Sequence, residues 1–252
     1  ALSSVDAISV PHRLESVKLV PAEGANEGDA RHHAYLVMEG VARPEIAAPD
    51  RARVFTSAVT ASDYRDQGRP SSWSAAVDGL AADADGAGEN PRLFVLSAGN
   101  NRDADAWVTY PDCLATNLVH DPGQAWNAIT VGACTDKIDT QGHPSLNPIA
   151  EAGGLSPFTT TTRTWDRAWP LKPDVVLEGG NAAKDDRGAS WMTSLSLLTT
   201  HCVRAWRPGS WPPTLIFDRR PCVRCWCIRR NGANPCAGCS CQRCRTRITT
   251  ST

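Results

Sequence analysis

The chain has 252 residues, 41% of them hydrophobic, and 27 Asp+Glu stand against 26 Lys+Arg for a formal net charge of −1. That length is enough to bury a full single-domain core. No apolar run approaches the ~20 residues needed to cross a bilayer, so no membrane-spanning segment is expected. In chain order, the start (Ala1-Leu2-Ser3-Ser4-Val5-Asp6) has neither an initiator Met nor a basic region followed by an apolar stretch. No secretory signal is read there, and the expectation is a processed chain or one cut from something longer. Residues 12–20 alternate apolar and polar from Leu14 and read as a strand closed by Pro21 and Gly24. Residues 31–46 place Leu36, Val37, Val41 and Ala42 near helical spacing, and residues 53–59 form the next strand. A polar loop at 63–70 leads to Ser71, the start signal of an amphipathic helix that carries Ala76, Val77, Leu80 and Ala81.

The segment Leu93-Phe94-Val95-Leu96-Ser97-Ala98-Gly99-Asn100-Asn101 is the most informative part of the chain. An apolar run ending in Ala-Gly-Asn reads as a buried strand that delivers one carboxamide to a strand end. Residues 125–133 form a second short apolar strand, and Lys172-Pro173-Asp174 is a turn into the strand Val175-Val176-Leu177. Strands alternating with helices imply crossover units and a parallel sheet, a three-layer α/β fold. Such sheets place their sites beyond the carboxyl ends of the strands, where Asn100 falls. Two readings of Asn100 stand side by side: a hydrogen-bond donor to a developing oxyanion, or half of an Asn-Asn turn, since Asn tolerates left-handed backbone. Asp83-Ala84-Asp85-Gly86 has the acidic start of a calcium loop but none of the later acidic ligands, and reads as a solvated turn. His12 reads as a surface or strand-edge residue, and His32 and His33, on the predicted helix without a partner pattern, read as part of its solvated face.

Taken in order, the helix at 71–81, the strand ending in Ala98-Gly99-Asn100, the strand ending in Val131-Gly132-Ala133, Ser156-Pro157-Phe158 and Lys172-Pro173-Asp174-Val175 resemble the subtilisin-like serine protease family. The resemblance covers about residues 14–200. It implies a subtilisin-like parallel sheet, incomplete here, with peptide-bond hydrolysis through an acyl-enzyme as the parent reaction and peptides or proteins as substrates. It places Asn100 in the oxyanion hole and Ser97, Ala98 and Gly99 on the substrate-binding strand. It implies no organic cofactor. Calcium is common in the family, but no ligand set here supports a metal site.

The family takes its catalytic residues in the order Asp, His, Ser, and none of the three motifs is recognisable here. The Asp and His motifs would lie before residue 14, and no Gly-Thr-Ser follows the strand at 175–177. Gly188-Ala189-Ser190-Trp191-Met192 is the nearest imitation, but it follows the charged loop 184–187 and precedes an apolar strand read at 195–198 rather than opening a buried helix. Without all three members only the oxyanion donor and binding remain. The expectation is therefore a catalytically inactive fragment.

Composition changes sharply after residue 200. Ten of the 26 basic residues, all Arg, fall in residues 201–252 beside the single acid Asp218, and eight of the ten cysteines lie there too. Residues 1–200, with only Cys113 and Cys134, read as an acidic, reduced, cytoplasmic-type domain. The pairs Cys222/Cys225, Cys236/Cys239 and Cys241/Cys244 have zinc-ligand spacing, and the interleaved Arg would suit phosphates. Against a zinc module, periodic apolar patterning is absent from the tail. Its Arg, Cys, Trp, Pro and Gly mixture is what GC-rich coding DNA yields in a wrong frame. The organisation expected is a partial peptidase domain at 1–200 and an irregular tail at 201–252, with nucleic acid not expected as a partner.

Overall fold

The computed structural model describes residues 13–19, 31–61, 67–140 and 143–196. Its elements are α1 (Arg31–Ala47), β1 (Val54–Ser57), α2 (Ser72–Ala82), β2 (Leu93–Ser97), the short helices α3 (Ala104–Val108) and α4 (Cys113–Thr116), and β3 (Ile129–Thr135). Strands β4 (Leu146–Pro148), β5 (Gly154–Leu155), β6 (Val175–Glu178), β7 (Gly180–Asp185) and β8 (Ser190–Ser196) follow. β1, β2, β3 and β6 pair in that order, all parallel, and β5 runs antiparallel along the end of β3. A second sheet, β4-β7-β8, is antiparallel. The α/β architecture with a mostly parallel sheet is thus the one expected from the alternation of elements. No helix among the described residues is long and apolar enough to cross a membrane.

The two-residue period of β2 sorts its side chains between the faces of the sheet. Phe94 and Leu96 turn to the helices, where they pack with Trp73, Val77 and Ala81 of α2 and Val37 and Val41 of α1. Val95 turns the other way and meets Val131, with Ile129, Val175 and Leu177 alongside. Each fully buried side chain of this kind contributes about 1.5–3 kcal/mol. The start of α2 is fixed locally: Ser71 Oγ accepts from Ser74 N–H and Ser74 Oγ accepts from Ser71 N–H, both at 2.9 Å, a reciprocal capping box. Its end turns on Asp83, left-handed at φ 52°. There the carboxylate accepts from Asn90 N–H at 2.9 Å and pairs with Arg92, which also reaches Glu45 of α1.

Three sequence expectations change. Residues 13–19 form neither helix nor strand, and Leu14 is 95% exposed. Side chains hold the segment instead: Glu15 binds Arg53 at 2.6 Å, and Leu19 packs against the helical core. Val20 and His12 lie outside the described residues. The strand read from residue 125 begins only at Ile129, because the Asn127 backbone N–H is taken by the Asp78 carboxylate of α2 at 2.6 Å. The strand read at 195–198 begins earlier, at Ser190, as the return arm of a hairpin that turns at Gly188, φ +84°. Residues 197–200 and the whole tail lie outside the described residues.

Candidate functional site

β2 ends at Ser97, in register with Val131 of β3, and the Ala98 N–H continues the ladder to Val131 O at 2.9 Å. The chain then turns at Gly99, whose φ of +103° favours glycine. A Cβ there would stand 2.3 Å from Cγ of His120, so space and backbone both require glycine. Ser97 and Ala98 are buried, Ser97 Oγ accepts from Gly99 N–H at 3.2 Å, and Asn100 sits half-buried just past the strand end.

The two asparagines of the turn differ. Asn101 is 5% exposed and fixed on all sides: its N–H donates to Phe158 O at 2.8 Å and its Nδ2 to Pro157 O at 3.3 Å. Its Oδ1 accepts from Asp103 N–H at 3.0 Å, and its carbonyl from the Trp107 indole at 3.3 Å. Asn101 thus takes part in forming the turn.

Two distant segments wall the turn. From one side, His120 N–H donates to Ala98 O at 2.9 Å, and His120 Nδ1 lies 3.4 Å from Thr60 Oγ1. Behind it the buried Asp121 carboxylate accepts from Ser71 Oγ at 2.6 Å and Gln124 Nε2 at 2.8 Å, which joins the α2 cap to this wall. From the other side, residues 156–162 cross the strand ends, and Thr160 Oγ1 donates to Ala98 O at 2.6 Å. Lys172 proves more than part of a turn. It is 1% exposed, and its ammonium donates to Ala128 O at 2.9 Å and to the Asp174 carboxylate at 2.8 Å. Asp174 in turn accepts from Thr130 N–H at 2.7 Å, so this lock fixes where β3 and β6 begin.

His120 and Thr160 escaped the sequence reading because their shared partner, Ala98 O, is far along the chain, and Lys172 was read only as part of a turn because Ala128 O lies 44 residues away. The run Thr159-Thr160-Thr161-Thr162 was the one local signal: four hydroxyls in a row, three of them on buried residues, must find partners. His33, read as solvated, is half-buried and stacks on Trp73 with centroids 4.6 Å apart, so it belongs to helix packing. The side chain of His32 is outside the described residues. Ser190 opens β8 rather than a helix, and its Oγ donates to Ala104 O at 2.6 Å. Burial holds the Cys113 thiol above its ordinary range, which keeps it protonated and poorly nucleophilic at neutral pH. Among the described residues no group of His, Cys, Asp and Glu could hold a metal ion.

A carboxamide at the carboxyl end of a parallel strand, carried on a turn fixed from both sides, is suited to donating a hydrogen bond to an anionic oxygen. A family model described as the subtilase family matches residues 1–207. No curated protein matches the chain.

Proposed function

The chain belongs to the subtilase family, whose members are subtilisin-like serine peptidases acting on peptides or proteins, and on that premise we propose that Asn100 is its oxyanion donor. The observation that carries the reading is the turn itself. Asn100 follows a glycine at φ +103° at the end of a strand inside the parallel sheet, between two segments that hold its neighbours. In acyl transfer its Nδ2 donates to the oxygen that becomes negative as the carbonyl is attacked. Ser97, Ala98 and Gly99 line the strand along which the peptide lies. Loss of one such donor typically lowers turnover about 100- to 1000-fold.

In our reading this chain does not itself complete the reaction. Hydrolysis needs a nucleophilic serine with a histidine base and an orienting acid, and the 252 residues contain no Gly-Thr-Ser. Ser190 is a poor substitute, since its hydroxyl is engaged by the Ala104 carbonyl. A fluorophosphonate probe should leave the chain unlabelled, and labelling at Ser190 would overturn the assignment. In any form of the protein that the probe does label, Asn100→Ala should lower kcat by about 100- to 1000-fold with little change in KM. An unchanged kcat would remove Asn100 from the mechanism.

The same reading takes residues 201–252 as translated out of the family's frame. Translation of the coding DNA after codon 201 in the other two frames should recover Gly-Thr-Ser followed by a small-residue helix. Stoichiometric zinc in the purified protein would instead establish the tail as a metal module.

A further inference from the structure

We infer that Thr160 is a positioning residue for Asn100, acting through the Ala98 carbonyl. The inference deepens the oxyanion reading and rests on it for its functional meaning. A backbone carbonyl has two acceptor positions, and Ala98 O is approached by two donors, His120 N–H at 2.9 Å and Thr160 Oγ1 at 2.6 Å. With both made, the peptide between Ala98 and Gly99 is fixed in orientation. This is the peptide most in need of fixing, because glycine lacks the Cβ that would restrict its rotation. Uncompensated rotation about the bonds that flank this peptide would swing the Ala98 carbonyl away from its two donors and redirect the chain at Gly99, and with it Asn100.

Thr160 does not act alone. It belongs to a brace, residues 156–160, that also holds the far side of the turn, where Asn101 donates to Phe158 O and Pro157 O. The brace is registered on the sheet: Ser156 N–H donates to Ala133 O at 3.0 Å, and Thr159 Oγ1 accepts from Ala133 N–H at 3.0 Å. Ala98, Thr159 and Thr160 are all 0% exposed, so water cannot replace these bonds. Asn100 therefore sits between two residues, Ala98 and Asn101, that one segment, itself indexed to β3, helps to hold.

The test needs no turnover, so it can fail independently of the oxyanion reading. By NMR, Thr160→Val should shift or broaden the Asn100 side-chain NH2 resonances and speed amide exchange at Gly99 and Asn101 about tenfold. Thr160→Ser keeps the hydroxyl and should restore both. Thr162→Val, which removes the buried bond from Thr162 Oγ1 to Lys172 O, should lower the melting temperature yet leave Asn100 unmoved. An unmoved Asn100 in Thr160→Val, no rescue by Ser, or an equal effect from Thr162→Val would overturn the inference. Should Thr160→Val not fold, the unsubstituted protein decides: the Thr160 hydroxyl proton must exchange slowly enough to be seen, and rapid exchange would sink the proposal.

Discussion

The helical face of the sheet and the carboxyl end of β2 are built by different physics within the same few residues. Toward α1 and α2 the sheet presents Phe94 and Leu96 to Trp73, Val77, Val37 and Val41, and stability there comes from apolar area and shape. Two residues on, the chain is Ala98-Gly99-Asn100, and the neighbours are hydroxyls and peptide groups. The first arrangement tolerates apolar side chains of about the right volume, because dispersion and burial have little direction. The second tolerates little, because hydrogen bonds and a left-handed backbone do. A site that must aim one carboxamide needs the second kind of construction, and the first kind supports it from beneath.

Substitutions along β2 sharpen this contrast. Leu96→Ala removes a side chain only 1% exposed and should cost about 3 kcal/mol in urea unfolding, whereas Leu96→Met should cost less than about 1.5. Gly99→Ala adds one methyl and should still cost about 2–3 kcal/mol, from the positive φ and the collision with His120. No volume-matched replacement exists to relieve it. A Gly99→Ala protein as stable as the original would break the comparison.

Ser71→Ala lies where the two regions meet, since Ser71 both caps α2 and donates to Asp121 behind His120. It should cost about 1–2 kcal/mol. The urea midpoint measures that loss, and a loss confined to the α2 amides in hydrogen exchange would show that the cap alone matters. The smallest effect belongs to Asp83 on the helical side. Its carboxyl is held below the usual range, first by the Asn90 N–H and then by Arg92. A folded pKa below the unfolded value means that the contribution is present above pH ~4 and is lost as pH falls through the lower folded value. Asp83→Asn should therefore flatten the fall in urea midpoint between pH 6 and pH 3. An unchanged pH profile would remove Asp83 from that account.

Much of the scaffold was legible because its signals are local. α2 announces itself by Ser71 and its apolar spacing, β2 by five consecutive residues ending at a Gly-Asn turn, and the start of β6 by Pro173. The alternation at residues 13–19 misled because a two-residue period shows which faces a strand would have but not whether a neighbouring strand exists to pair with it. The stretch at 125–128 misled because Asp78, 49 residues away, takes the backbone group that a ladder would need.

The sequence by itself determined the α/β succession of elements and brought an asparagine to the end of a buried strand, because periodicity and turn chemistry act between residues a few positions apart. Only the tertiary structure decided that Asn101 is bonded to residues 157 and 158, and that His120 and Thr160 converge on Ala98. Those contacts join residues as far as 62 positions apart in the chain. Hydrogen-bond partners at that separation leave no local pattern, since a hydroxyl or imidazole has the same identity whether it faces water or a buried carbonyl. Folding alone chooses between them, through the cost of leaving a buried carbonyl without its donors.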